Sequence, residues 1–402
     1  LTAFGKRLDY TPMKRIASID LLRGIVMILM ALDHTRDYFH DYTFHFSATD
    51  LTHTTPAIFF TRWITHYCAP VFVFLTGLSA YLSGQNKTKA DHAMFLFKRG
   101  LWLLFAEFTF LAFFEFFDFG FSQHFFQVLS VIGAGYLFMA LLVFTPRWFI
   151  LFFGLSQLLL HNLLDSIAIH NNFSLEVLWS LIHELKYFPL SKTQAILINY
   201  PLIPWVGILA LGYYMGQIYA STFPSEKRQR ILLRLGIAAT AGFIVVRFLN
   251  VYGDPSMWRS QDSTVYTLLS FLNTTKYPPS LLYLLMTLGP ALLLLSFAEN
   301  AKGKLTKVIT RFGSIPFFYY SLHLLLIHLL QLIYLLASGY SAEYTVLKYE
   351  DPVPAVDPAM AHYFALPGVY AIWIVVLLIM YPCCGWYARF KASHNYWWLP
   401  YV

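Results

Sequence analysis

Ten stretches of this chain are runs of mostly apolar residues about as long as a bilayer-spanning helix, and that repetition restricts the fold more than any other feature. A helix rises about 1.5 Å per residue, so about twenty apolar residues cover the hydrocarbon core. The expected spans are 19–39, 58–82, 99–117, 125–145, 148–164, 195–219, 231–251, 278–298, 313–337 and 367–388. Only 12% of the residues are charged, against about a quarter in an average soluble domain. A soluble fold with so many such runs would have no polar surface to turn to water. The sequence therefore predicts an all-α polytopic membrane protein of about ten transmembrane helices, forming one transmembrane domain over residues 1–402.

Basic residues give that bundle a direction. Cytoplasmic loops carry an excess of Lys and Arg. With both termini cytoplasmic, 19 of the 28 basic residues fall inside, among them Lys87, Lys89, Lys98 and Arg99, then Lys227, Arg228, Arg230 and Arg234, then Lys302, Lys304, Lys307 and Arg311. Only Lys186, Lys192, Arg259, Lys276 and Lys348 fall outside. The remaining four, Arg23, Arg36, Arg62 and Arg247, lie within or beside spans. The same alternation accounts for the net charge of +7 without nucleic acid. Residues 1–18 and 389–402 are expected as cytoplasmic tails and 338–366 as an outer loop or cap rich in Pro and acid. The first run carries Asp33, His34, Arg36 and Asp37 near its far end, with no small-x-small cleavage site, and reads as a retained helix rather than a signal peptide. Cys68, Cys383 and Cys384 all fall in spans and imply no disulfide framework. Gly212 with Gly216, and Gly236 with Gly242, predict close helix packing.

Ionisable residues within a membrane are costly and mark function. The first span holds the densest set, Asp20, Arg23, Asp33, His34, Arg36 and Asp37. Arg23 and His34 are eleven residues apart, three turns plus about 20°, so they share a face about 16.5 Å apart along the axis. Met27 and Met30 lie on the same stripe. The bland alternative is that Arg23 snorkels to headgroups and His34 hydrogen-bonds a neighbouring helix.

The segment SIDLLRGIVMILMALDH resembles the first helix of integral-membrane acyltransferases that acetylate bacterial surface sugars, whose signature of Arg, ten residues and His is met by Arg23 and His34. With APVFVFLTGLSAYL, LNTTKYPPSLLYLLMTLGPALL and FGSIPFFYYSLHLLLIH, the chain as a whole resembles heparan-α-glucosaminide N-acetyltransferase and its bacterial relatives. The resemblance implies that the acetyl group of cytoplasmic acetyl-CoA is carried to an amine or hydroxyl of an extracytoplasmic glycan or amino-sugar acceptor, in a bacterial inner membrane. It implies Arg23, with Asp20, and Lys276 and Tyr277 as contacts of acetyl-CoA. His34 would be the base or acetyl carrier, with Asp33 or Asp37 fixing its tautomer. The lysosomal pattern has Asn at the His34 position and its essential histidine eleven residues later, at His45 here, so both histidines are candidates. Other expected partners are membrane lipid and a second copy of the chain, as a homodimer.

Three other groups have structural readings beside functional ones. Arg62 and His66 face one side of the second span, where a buried polar contact with the first span is expected. His323 and His328 lie about 140° apart on their helix and cannot share a small ligand. His34, His40, His45 and His53 lack any metal-binding spacing, and no metal is expected. The rival function is a secondary transporter of a small anionic solute, with Arg23, Arg62 and Arg247 as ligands and histidines relaying protons. The paired, broken helices common in such transporters are not seen in the sequence.

Overall fold

A computed structural model describes residues 16–41, 46–346, 363–399 and 401–402. His45, most of the N-terminal tail and residues 347–362 of the expected cap lie outside the described residues. The helices in chain order are α1 (Ala17–Phe39), α2 (Pro56–Thr65), α3 (Cys68–Ser83), α4 (Lys89–Ala106) and, after a π turn at Glu107–Leu111, α5 (Ala112–Phe116). Strand β1 (Gln123–Phe126) leads into α6 (Val128–Leu142), followed by α7 (Arg147–Leu160) and α8 (Phe173–Ile182). Strands β2 (Lys186–Pro189) and β3 (Ala195–Ile198) precede α9 (Leu202–Met215). The chain continues through α10 (Ser225–Leu249), α11 (Thr264–Leu272), α12 (Leu281–Ala298), α13 (Lys304–Gly313), α14 (Pro316–Ala337) and α15 (Leu366–Ser393).

Among the described residues, seven helical segments are both long and apolar enough to cross a membrane: Pro56–Ser83, Arg147–Leu164, Leu202–Tyr219, Ser225–Leu249, Leu281–Ala298, Pro316–Ala337 and Leu366–Ser393. The three other expected spans differ for physical reasons. Charges at both ends of α1 keep it from qualifying by composition. The run at 99–117 is interrupted by the π turn, where Thr109 has φ −121° and ψ −108°. The run at 125–145 begins as β1 and leaves a helix of only 15 residues.

An all-α fold is thus corrected by one small sheet of order β1-β3-β2, with β1 parallel to β3 from Gln123↔Ala195 to Phe126↔Ile198 and β2 antiparallel to β3. Short apolar runs such as Ala195–Ile198 have no period that tells strand from helix. Pro201 and Pro204 then delay the start of α9. The run at 58–82 is likewise divided between α2 and α3. Pro70 has no N–H to give the carbonyl four residues earlier, and that His66 carbonyl accepts instead from the buried Tyr283 hydroxyl at 2.8 Å.

Helix α1 is the centre of the bundle. Fifteen of its 23 residues are buried, and it packs against α2, α3, α12, α13, α14 and α15. Its approach to α13 depends on two glycines. A Cβ at Gly24 would lie 2.1 Å from Ile309 O, and one at Gly313 would lie 2.0 Å from Asp20 O. The expected close packing at Gly212 is also present, since a Cβ there would lie 2.0 Å from Phe74 O of α3. Gly242 has only Leu285 Cδ1 at 3.9 Å and makes no close approach. Outward, the bundle is apolar, as at Val245, Phe248 and Leu378, as a lipid-facing surface must be. All three cysteines are free.

Candidate functional site

The two ends of α1 hold two polar clusters, joined by packed apolar residues. At one end Arg23 Nη1 donates to Asp20 Oδ1 at 2.7 Å and to Gly313 O at 3.1 Å, while Nη2 donates to Ser79 Oγ at 3.0 Å. One turn below, Ser18 donates to Glu299 at 2.7 Å, and Glu299 pairs with Arg228. Arg23 is therefore oriented rather than free to snorkel. Its partner Ser79 had no sequence signal, being one serine among many.

At the other end Asp33 collects four contacts. Arg62 Nη1 donates to both of its oxygens at 2.7 Å, Arg36 Nη2 reaches it at 2.8 Å, and Thr65 Oγ1 donates at 2.7 Å. Arg62 thus makes the contact with the first span that its position predicted. Arg36 also donates to Asp37 at 2.6 Å. Arginines engage both carboxylates, and neither Asp33 nor Asp37 hydrogen-bonds His34 in this conformation. Among the described residues His34 makes no hydrogen bond. Its half-buried ring lies edge-on to His323, with centroids 5.2 Å apart and planes at 71°.

Lys276 and Tyr277 reach this cluster from the loop before α12. Asp254 orders that loop by accepting from Thr275 N at 2.9 Å, Thr275 Oγ1 at 2.9 Å and Ser280 Oγ at 2.6 Å. Ser280 also caps α12 by accepting from Tyr283 N at 3.0 Å. His161 Nε2 lies 2.8 Å from Pro279 O and pins the same loop to the end of α7. Lys276 Nζ sits 5.0 Å from the centre of the Tyr277 ring, and its charge acts on Asp33 and His34 as well. Burial raises the Tyr277 phenol, but Lys276 and Arg62 outweigh burial and bring it below its ordinary range. The four residues expected to contact acetyl-CoA therefore form two groups, Asp20 with Arg23 and Lys276 with Tyr277, at opposite ends of α1.

Between the clusters Met27 is 0% and Met30 7% exposed, so the stripe is packed in this conformation. The other histidine candidates separate clearly. His323 is fully buried, whereas His328 lies with Nδ1 3.0 Å from Phe114 O and Nε2 2.7 Å from Thr345 O, stacked on Phe117. His328 ties α14 to its neighbours. Among the described residues no group of His, Cys, Asp and Glu is arranged to hold a metal. Arg247 donates to four backbone carbonyls, those of Ser256, Ser270, Phe271 and Asn273. Arg23, Arg62 and Arg247 are each held by different partners and do not assemble the anion site that a transporter would need.

Oriented cations and an unbonded imidazole suit acyl transfer, in which charge develops on an oxyanion while a proton leaves the acceptor. Comparison with curated proteins returned no match. A family model described as heparan-alpha-glucosaminide N-acetyltransferase, catalytic, matches residues 15–256, more than half of the chain. The match includes Asp20, Arg23, Asp33, His34, Asp37 and His45, while Lys276, Tyr277 and His323 lie beyond it. This integral membrane protein belongs to the heparan-α-glucosaminide N-acetyltransferase family.

Proposed function

We propose that this chain takes the acetyl group of cytoplasmic acetyl-CoA and delivers it across a bacterial inner membrane to an amine or hydroxyl of a sugar-containing acceptor. In this reading residues 1–402 form one domain that crosses the membrane ten times with both ends cytoplasmic. The α1, α4–α5 and α6 segments complete the seven helices that qualify by length and composition. The observation that carries the proposal is the polarity of α1. An arginine oriented by three partners stands at its basic-loop end, and an imidazole without a hydrogen bond among the described residues stands near Arg36 and Lys276 at the other.

Each residue then has a task. Arg23 meets phosphate oxygens of CoA as a charge-assisted partner, oriented by Asp20. Met27 yields to the pantetheine arm. At the outer end the acceptor nitrogen or oxygen attacks the thioester carbonyl carbon, and Lys276, with the Tyr277 hydroxyl, stabilises the oxyanion. His34 removes the acceptor proton as the new C–N or C–O bond forms. When the C–S bond breaks, His34 returns that proton to the CoA sulfur, so the ring ends as it began. His45 is the second candidate for this step.

The test uses purified protein in lipid nanodiscs with radiolabelled acetyl-CoA and glucosamine. Wild type is expected to lose acetyl to the acceptor. His34→Ala or His45→Ala lowers the rate by about 10²–10⁴, the usual range for loss of a general base. Arg23→Ala mainly raises KM for acetyl-CoA. Binding without acetyl loss, or full activity in both histidine variants, overturns the proposal. Label retained on wild-type protein without acceptor, and lost in one histidine variant, would identify an acetyl-histidine intermediate on that residue.

A further inference from the structure

The carboxylates that would ordinarily orient a basic histidine are occupied here, which leaves the His34 partner to be found elsewhere. The ring nearest to it belongs to His323 on α14, fully buried and edge-on at 5.2 Å between centroids. His323 Nδ1 lies 2.9 Å from Tyr319 O. A carbonyl oxygen can only accept, so Nδ1 carries the proton and Nε2 carries the lone pair. Among the described residues that buried Nε2 has no hydrogen-bond partner. Tyr319 stacks on the ring at 5.2 Å and Tyr320 meets it edge-on at 5.7 Å, which holds the ring in place. A buried acceptor without a donor is costly in a native structure and requires a reason.

We infer that His323 is a positioning residue for acyl transfer: the two rings touch without a hydrogen bond in this conformation, and a turn of the His34 ring lets Nε2 of His323 accept its N–H during the reaction, which keeps the other His34 nitrogen unprotonated toward the acceptor. This inference rests on the reading of His34 as the base. It also explains why Asp33 is not used. A carboxylate beside His34 would stabilise the imidazolium and delay return of its proton to the CoA sulfur, whereas a neutral imidazole fixes the tautomer without trapping the charge. Besides the neutral ring of His323, the groups that face His34 are the charged side chains of Asp33, Asp37, Lys276 and Arg36.

Two neutral substitutions separate this role from packing. His323→Asn keeps a donor for Tyr319 O but removes the acceptor at the Nε2 position. His323→Gln places an amide oxygen where Nε2 lies. With radiolabelled acetyl-CoA, the Asn variant is expected to lose about 10- to 100-fold in kcat, a loss typical of an outer partner, with KM for acetyl-CoA unchanged. The acid limb of its kcat profile moves to lower pH, and the Gln variant restores both rate and profile. An Asn variant as active as Gln, or a loss with no movement of the acid limb, overturns the inference. His34→Ala is measured in parallel. If it stays active while the Asn variant fails, the base assignment falls; if it is inactive while the Asn variant is normal, only the role of His323 falls.

Discussion

Replacing Asp33 with Asn removes a charge from a cluster whose geometry allows the cost to be worked out. Asp33 is 13% and Arg62 17% exposed at the side chain, so the pair is largely out of water. Removing one member of a buried pair costs about 3–5 kcal/mol, because the other charge is left uncompensated. Arg36 still has Asp37 at 2.6 Å, which limits the damage and places Asp33→Asn at about 3 kcal/mol. Arg62→Gln leaves Asp33 with Arg36 and Thr65, and costs about 2 kcal/mol, the scale of one charge-assisted hydrogen bond. In the double variant two neutral amides face each other and no charge is stranded. Its expected cost is about 3 kcal/mol, giving a coupling of about 2 kcal/mol. The measurement is equilibrium unfolding of the four proteins in mixed detergent–SDS micelles. Costs that add to within about 0.5 kcal/mol would show that the two residues do not interact and would refute the ion-pair reasoning.

Further expectations follow from single contacts. Tyr283→Phe leaves the His66 carbonyl unpaired and costs about 1–3 kcal/mol in the same unfolding assay; adding Pro70→Ala, which restores an N–H to that carbonyl, recovers most of it. Gly313→Ala forces a Cβ to 2.0 Å from Asp20 O and costs about 1–3 kcal/mol, raising KM for acetyl-CoA as Arg23 loses its contact, while Gly242→Ala is neutral or stabilises by up to about 1 kcal/mol. Asp50 accepts from His53, from the Thr52 backbone and from the Thr52 hydroxyl, which hold its carboxyl at about 2. Because that value is below the ordinary carboxylate range, the turn it closes is fully supported above that range and loses this support as pH falls through about 2. Side-chain NMR of the labelled protein should show the midpoint there, and a midpoint near 4 would remove the argument.

Much of this architecture could be read from hydrophobic period and charge. The limits of α1 were expected at 19–39 and lie at 17–39, because a helix with charged ends and an apolar middle has few alternatives. The pairing of Arg62 with the first span was also readable, since a buried arginine needs an acid and α1 supplied it. Readings failed where the backbone departed from a single period. β3 is apolar like the helix that follows it, β1 is only four residues long, and the π turn at Glu107 has no local sequence mark. Pro70 could have announced the break in the second span, but nothing local identifies Tyr283 as the donor that compensates it. The arginine contacts of Asp33 were legible only in part for a similar reason. Its sequence neighbours include one arginine, whereas the second arrives from another helix.

The central position of α1 also bears on how the molecule is made. This helix leaves the ribosome before every element it touches, and α12 to α15, four of its six neighbours, are synthesised only after residue 280. Until then its charges are unattended by those helices. Its own sequence shortens that exposure: Asp20 pairs with Arg23 and Asp33 with Arg36, each three residues apart and available as soon as the helix forms. Arg62 follows within the next helix, 29 residues after Asp33. A chain made only as far as α10 would still hold these early pairs, yet the face of α1 that α12 to α15 cover would be bare, leaving the helix charge-neutralised but unpacked.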